Sequence, residues 1–206
     1  MLALSVFSLS IVHAHLSAAE QRTESNVGIF KRLAAEAAEE VTVNSHFRSG
    51  DSIHCRIAAR PDSWIIESAL LERLKSTGCT PFVGDSVAGL IGPYVLDVVY
   101  SQLDVRYEDS FREGIFGSKR TCRHLTVSVE YRSANARTGE ILASGTLTKE
   151  SRDTVAVDDL SSLEDPGVRS SHGVPPGDTF LDKIAEPFVI LGAAGVVVYL
   201  FFHVRS

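Results

Sequence analysis

The last apolar run of the chain constrains its fold more than any other stretch. Residues 187–204 read PFVILGAAGVVVYLFFHV and contain no Asp, Glu, Lys or Arg. At about 18 residues, such a run is just long enough to cross the hydrocarbon core of a bilayer as a helix. Left exposed in water, its apolar surface would promote aggregation. The run therefore predicts a transmembrane helix over 186–204, and a buried core helix is the alternative.

The first residues bear on the compartment in which the protein works. MLALSVFSLSIVHAHLSAAE is apolar and then turns to small residues, although no Lys or Arg precedes the apolar part. That part is too short to span a bilayer, which predicts a secretory signal peptide over 1–19. Arg205 follows the C-terminal run, in agreement with the positive-inside rule. We therefore expect a single-pass membrane protein whose folded domain lies on the periplasmic, extracytoplasmic side.

Composition narrows the class of function. A length of 206 residues suits one domain plus targeting segments. The formal net charge of −6 is opposite to the basic stripe of nucleic-acid-binding domains, so no nucleic-acid partner is expected. Cys55, Cys79 and Cys122 have no metal-ligand spacing. In an oxidising compartment any two of them could pair, and three buried thiols are the alternative.

Hydrophobic periodicity predicts an α+β domain over 20–153. Apolar residues recur every three or four positions over Asn26–Asn44 and again from Pro61 to Lys75, which predicts two helices. Strands are predicted around 53–57, around 80–83, from Tyr94 onward, around 125–131 and around 141–147. The turn at 135–139 makes the last two a hairpin. The expected fold is a small mixed sheet with long C-terminal antiparallel strands packed by two helices.

The periodicity also predicts where individual side chains lie. Val95, Val99, Leu103 and Val105 share one parity, so we expect them on one face of their strand. Trp64, at the start of the second predicted helix, is expected to anchor the core.

Between the predicted domain and the C-terminal run, the chain changes in character. Residues 154–185 are acidic, rich in Ser, Gly and Pro, and without sustained periodicity. Such a composition buries too little apolar surface to fold alone, which predicts a flexible acidic linker.

No motif in the sequence indicates an enzyme. The chain contains no G-x-S-x-G elbow, H-E-x-x-H pair, G-x-G-x-x-G loop or Walker sequence. His46, His54 and His124 are far apart and lack partners at metal-ligand spacing. We therefore assign no catalytic, cofactor-binding or metal-binding residues and expect no cofactor. An enzyme whose site cannot be recognised from one sequence is a further hypothesis, besides a scaffold or adaptor and a lipid- or small-molecule-sensing module.

One cluster of charges stands out against the acidic background. Five cations surround a predicted strand-to-strand loop: Arg106, Arg112, Lys119, Arg120 and Arg123. At the tip of a hairpin they would form a positive surface for an acidic partner or for lipid head groups. The alternative is a solvated edge whose cations discourage strand aggregation. These five residues are the candidate partner-binding patch.

Three segments carry a resemblance to a known group of proteins. They are WIIESALLERLKSTGCTPFVGD, PYVLDVVYSQLDVRYED and HLTVSVEYRSANARTGEILASGTLT. Their order resembles bacterial envelope-assembly domains: the curli secretion protein, the penicillin-binding-protein-activator lipoproteins and the flagellar outer-membrane accessory proteins. The shared features are a helix ending at a glycine, here Gly78, and a hairpin turn reading Thr138-Gly139-Glu140. The chain departs from that group in its C-terminal run and in lacking a lipid-bearing cysteine.

The resemblance implies a non-catalytic α+β domain in the bacterial cell envelope. Together with the predicted anchor, it leads us to expect a membrane-anchored extracytoplasmic scaffold or adaptor that binds another envelope protein. The alternative function is a lipid- or small-molecule-sensing module at the membrane surface.

Overall fold

The computed structural model of the chain describes residues 23–84, 92–112, 114, 117–177 and 180–203, with side chains described from residue 190 onward in the last range. Its helices and strands, in chain order, are α1 Asn26–Asn44, β1 Ser52–Ile57, α2 Trp64–Ser76, β2 Thr80–Val83, β3 Tyr94–Arg112, β4 Lys119–Asn135, β5 Ile141–Ala156, α3 Leu160–Leu163 and α4 Phe180–His203. The predicted signal peptide over 1–19 lies outside the described residues.

Helix α1 has the bounds that the sequence predicts. It begins after Ser25, whose hydroxyl accepts a hydrogen bond from the Gly28 amide at 3.2 Å and so satisfies one free donor of the first turn. Phe30, Leu33 and Val41 on its apolar stripe are each at most 1% exposed. The stripe therefore faces the core, as its three- and four-residue spacing requires.

The five strands form one mixed sheet in the order β2-β1-β3-β4-β5. β1 is parallel to both β2 and β3, whereas β3, β4 and β5 pair antiparallel. The predicted α+β class, the mixed sheet and the β4–β5 hairpin are confirmed. The hairpin turn contains Gly139 at a φ of +74°, a left-handed conformation that glycine adopts without strain.

The two faces of this sheet differ in what lies over them. Every second residue of β4 is buried: Thr121, Arg123, Leu125, Val127, Val129, Tyr131 and Ser133. These residues face α1, which packs over β4 and β5, and we call their side of the sheet the covered face. The intervening residues of β4 and β5 are half-buried or exposed, and we call their side the open face.

A bulge in β3 changes the predicted parity. The pairing with β4 shifts register between Val98 and Tyr100, so the extra residue reverses the alternation as far as Tyr107, where a second shift before Ser110 restores it. Val98 is 2% exposed and Val105 is 5% exposed, whereas Val99 is 51% exposed. The prediction that Val99 shares a buried face with Val105 is therefore wrong.

The chain after β5 is packed against the domain. It falls inside the range 154–185 that the sequence assigns to a flexible linker, yet Leu160, Leu163 and Val168 are each 5% exposed and belong to the core. The physical reason is that the sheet and helices already provide an apolar core. A few widely spaced apolar residues are enough to hold short helical turns against it. The linker prediction does not hold from Val157 to Ser171.

Helix α4 carries large apolar side chains that are exposed, among them Ile190, Val197 and Phe202 at 63%, 66% and 73%. Among the residues that the structure describes, no helix is long and apolar enough to cross a membrane. The predicted transmembrane helix over 186–204 is therefore not supported.

Candidate partner-binding surface

The five cations of the predicted patch lie in three different environments. Arg123 is buried completely, on the covered face beneath the start of α1. Its guanidinium holds the Asp153 carboxylate with two bonds, Nε to Oδ1 at 2.8 Å and Nη2 to Oδ2 at 2.5 Å. Nη1 donates to the Glu24 carbonyl at 2.9 Å and to Asn26 Oδ1 at 2.7 Å. A cation satisfied in this way is structural, so Arg123 does not belong to a surface patch.

Asn26 extends this network to the segment that follows β5. Its side-chain nitrogen donates to the Tyr107 hydroxyl at 2.9 Å and to the Ser171 carbonyl at 2.7 Å. The Tyr107 hydroxyl donates in turn to Glu164 Oε1 at 3.1 Å. Burial raises the pKa of Tyr107 to about 12, with Glu164 contributing in the same direction and the bond from Asn26 opposing it. The network fastens the segment after β5 to α1 and β3.

Three of the predicted cations meet at the tip of the β3–β4 hairpin. Arg112 is directly opposite Lys119, and Phe111 is directly opposite Arg120. Arg112 is exposed and the other two cations are half-exposed. Phe111, which the sequence analysis did not select, is 48% exposed and lies on the open face beside Arg120. We call Phe111, Arg112, Lys119 and Arg120 the hairpin tip.

Arg106 lies apart from the hairpin tip, on the open face. Its Nε donates to Asp104 Oδ2 at 2.7 Å, and its side chain is 72% exposed. The structure therefore brings together three of the five predicted residues, leaves Arg106 farther down the hairpin and removes Arg123 from the surface.

The open face has a second basic cluster that the sequence analysis missed. The Asp97 carboxylate accepts from Arg56 Nε at 2.5 Å and from Arg132 Nη2 at 2.9 Å. Burial raises the pKa of Asp97, but the bonds from the two arginines outweigh it and hold that pKa below its usual value. Because the three residues come from three strands, only the register could have revealed the cluster.

A groove of about 700 Å³ lies between α1 and α2 on the outer side of the helices. Trp64, at one end of it, is 45% exposed and has the Lys31 ammonium 5.7 Å from its ring centroid. The prediction that Trp64 anchors the core is wrong, because Ile65 and Ile66 fill that place instead. The remaining charged residues along the groove are of both signs.

The chemistry of the histidines and cysteines is unremarkable within the described residues. No group of three or more His, Cys, Asp or Glu side chains there could hold a metal ion. Cys55, Cys79 and Cys122 are all free thiols. Burial raises the pKa of Cys55 to about 12, with smaller contributions from Glu67 and Cys79 in the same direction.

No protein-family model and no curated protein sequence matches the chain. The chain is similar in structure to the LpoB C-terminal domain from Salmonella enterica, with a TM-score of 0.33 and 11% identity over 58% of this chain and 97% of that one. It is also similar to a minor lipoprotein from Acinetobacter baumannii, with a TM-score of 0.36 and 14% identity over 70% of this chain and 94% of that one. For the rare lipoprotein B from Shewanella oneidensis, the TM-score is 0.31 and the identity 15% over 75% of this chain and 96% of that one.

The three structures are named as lipoproteins or as the LpoB domain, and none of them bears on the curli-secretion or flagellar part of the resemblance. With TM-scores and identities this low, the likenesses establish neither a common fold nor a common function.

Proposed function

We propose that this protein is a non-enzymatic adaptor of the bacterial cell envelope, which binds another protein through the hairpin tip while its folded domain lies on the extracytoplasmic side of a membrane. The observation that supports the binding role is that Arg112, Lys119 and Arg120 meet at one end of a long hairpin beside Phe111, which is 48% exposed.

The chemistry of the hairpin tip favours an acidic protein surface as its partner. Phe111 is an exposed aromatic side chain next to cations, and aromatic residues and arginine are enriched at the centres of interfaces. Arg106 lies farther down the open face, and its charge is balanced there by Asp104. Arg123 has no part in it, because its donors are used inside the domain.

Helix α4 supplies the membrane attachment in this proposal. Large apolar side chains exposed along one helix need a cover, and lipid is the cover that an envelope offers. A chain ended at Asp182 should leave the membrane fraction after an alkaline wash, whereas the full chain should stay. If the shortened chain stays too, the attachment lies elsewhere.

The binding role is tested with the triple variant Arg112→Ser, Lys119→Ser and Arg120→Ser. The full chain, tagged and extracted in a mild detergent, should capture one stoichiometric protein from envelope membranes. Association of that partner with the triple variant should be about tenfold slower at low salt, and the difference should shrink at high salt, because peripheral charges act mainly on encounter.

A matched control removes three exposed cations elsewhere: Arg48→Ser, Lys75→Ser and Arg137→Ser. This control changes the net charge equally and should leave association unchanged. Unchanged association of the tip variant, together with more aggregate in light scattering, would instead show that the cations protect an exposed strand end. Co-purification of a lipid or metabolite in place of a protein would favour the sensing module.

A further inference from the structure

Strand β5 forms one edge of the sheet and pairs only with β4 among the described residues. It is 16 residues long, and its ladder with β4 has no register shift from Ala143 to Ala156. Neither a proline nor a bulge interrupts that stretch. Its outer side is therefore a regular row of backbone donors and acceptors, which is what an added strand needs.

The charges near the end of β5 are arranged symmetrically about Ser151. The sequence from 148 to 154 reads TKESRDT. When two copies of this strand pair antiparallel with Ser151 opposite Ser151, Lys149 comes opposite Asp153 and Glu150 opposite Arg152. Each pair occurs twice, because the two-fold axis repeats it. Opposite charges directly across a sheet attract each other.

Other symmetric registers lose this match. Centred on Glu150, the pairing sets Lys149 opposite Ser151; centred on Arg152, it sets Asp153 opposite Ser151. A register in which odd positions oppose even ones would exchange the two faces, so it is excluded. Only the register centred on Ser151 pairs all four charges.

We propose that the protein forms a symmetric dimer in which the β5 edges of two copies pair antiparallel about Ser151, joining their sheets into one. The pairing of Glu150 with Arg152, on the open face, is what favours this register. Arg152 is exposed and has no ion-pair partner among the described residues, while Glu150 is 50% exposed and 3.2 Å from His124 Nε2.

On the covered face the charges near the axis are already compensated. Lys149 Nζ is 2.6 Å from Glu40 Oε2, and Asp153 holds Arg123. Arg32 donates to the Ser151 hydroxyl at 3.3 Å and is flanked by the carboxylates of Glu24 and Glu36. Bringing two copies together at Ser151 therefore adds no unpaired charge on that side.

The first test is a charge exchange in the full chain, purified in detergent and examined for oligomeric state over a range of concentrations. Arg152→Glu places Glu opposite Glu, and Glu150→Arg places Arg opposite Arg. Each should weaken the dimer about tenfold to a hundredfold, since attraction becomes repulsion at two symmetric pairs. The double variant, with both changes, should recover the dimer.

Mixing the two single variants makes the test specific to this register. A chain with two arginines opposite a chain with two glutamates forms only attractive pairs, so the mixture should contain a mixed dimer although neither variant dimerises well alone. A merely structural effect of either change on the His124 contact would not be repaired by mixing. Circular dichroism should show that every variant is folded.

A cysteine scan locates the axis directly. Ser151→Cys should form an intermolecular disulfide under mild oxidation, because opposed Cβ atoms in a sheet are about 4.5–5.5 Å apart. The matched control Thr146→Cys lies five positions from the axis, which separates its two copies by roughly 34 Å at about 3.4 Å per residue. The control carries the same native thiols and should stay uncrosslinked.

Three results would overturn the proposal. The full chain could be monomeric at every concentration, as it would be if β5 pairs with a strand of another protein instead of with a second copy. The dimer could persist unchanged in Arg152→Glu, which would place the contact elsewhere, for example on α4. The two cysteine variants could crosslink equally. Neither the hairpin-tip substitutions nor the partner assay enters these measurements, so the adaptor proposal can fail independently.

Discussion

Two aspartates hold arginines on opposite faces of the sheet, and they do so in different ways. On the covered face, Asp153 holds one arginine, Arg123, which is completely buried. The Nη1 group of Arg123 donates to two neutral acceptors, the Glu24 carbonyl and Asn26 Oδ1. On the open face, Asp97 holds two arginines, Arg56 and Arg132, whose side chains are 34% and 51% exposed. The first cluster has no net charge and the second has one positive charge in excess.

The difference shows how position decides whether a cation is available for binding. A buried guanidinium must be satisfied inside the protein, because desolvation of an unpaired charge is costly. An exposed guanidinium keeps part of its hydration and can exchange it for a partner. The candidate patch combined both kinds, since sequence position alone does not distinguish Arg123 from Arg120.

The two clusters should differ most when each aspartate loses its charge. Asp153→Asn leaves a fully buried Arg123 without a counter-ion and should lower the free energy of unfolding by about 3–5 kcal/mol. Asp97→Asn leaves two arginines that water can reach, so its cost should be about 1 kcal/mol. Denaturant unfolding of the full chain, followed by circular dichroism, measures both. Equal losses would contradict the distinction between the two faces.

The second prediction tests whether burial stabilises the covered face. Leu70 on α2 is 2% exposed, so Leu70→Ala should cost about 2–5 kcal/mol. Arg73, one turn later on the outer side, is 35% exposed and its Nη2 is 3.1 Å from Glu39 Oε1. Arg73→Ala should cost well under about 1 kcal/mol, as exposed ion pairs do. A comparable loss for the two variants would mean that α2 is rotated about its axis.

The smallest effect concerns pH. Because the two arginines hold the pKa of Asp97 below its unfolded value of about 3.9, this group contributes stability above that value. The contribution is lost as the pH falls through the folded pKa. Stability of the parent should therefore fall more steeply than that of Asp97→Asn below about pH 4. Parallel pH profiles of the two proteins would show that the arginines do not act on this carboxyl.

Most of the fold could be predicted from the sequence, because most of it depends on local patterns. The bounds of α1 and β2 agree with their apolar spacing and turn residues. The bulge after Val98 could not be predicted, since it depends on how β3 pairs with β4. The folded segment after β5 was missed because its apolar residues pack on a distant surface and show no period of their own.

The candidate surface was predicted less well, for a related reason. Charge clustering along the chain identified the hairpin tip, whose residues are close in sequence. It included Arg123 because the partners of that residue, Asp153 and Asn26, come from other elements. It missed Arg56, Asp97 and Arg132 because three strands have to be aligned before they meet.

The bonds of Glu164 have a mechanical consequence. Glu164 Oε1 accepts from both the Tyr107 hydroxyl and the Gly173 amide, and a Cβ at position 173 would lie 2.6 Å from the Tyr107 ring. A force applied to α4 therefore acts on the hydrogen bonds of Glu164 before it acts on β5. Through Tyr107 these bonds transmit the force to β3, in the middle of the sheet, so the edge strand is not pulled off first. Under such a force the open face and the hairpin tip would stay folded.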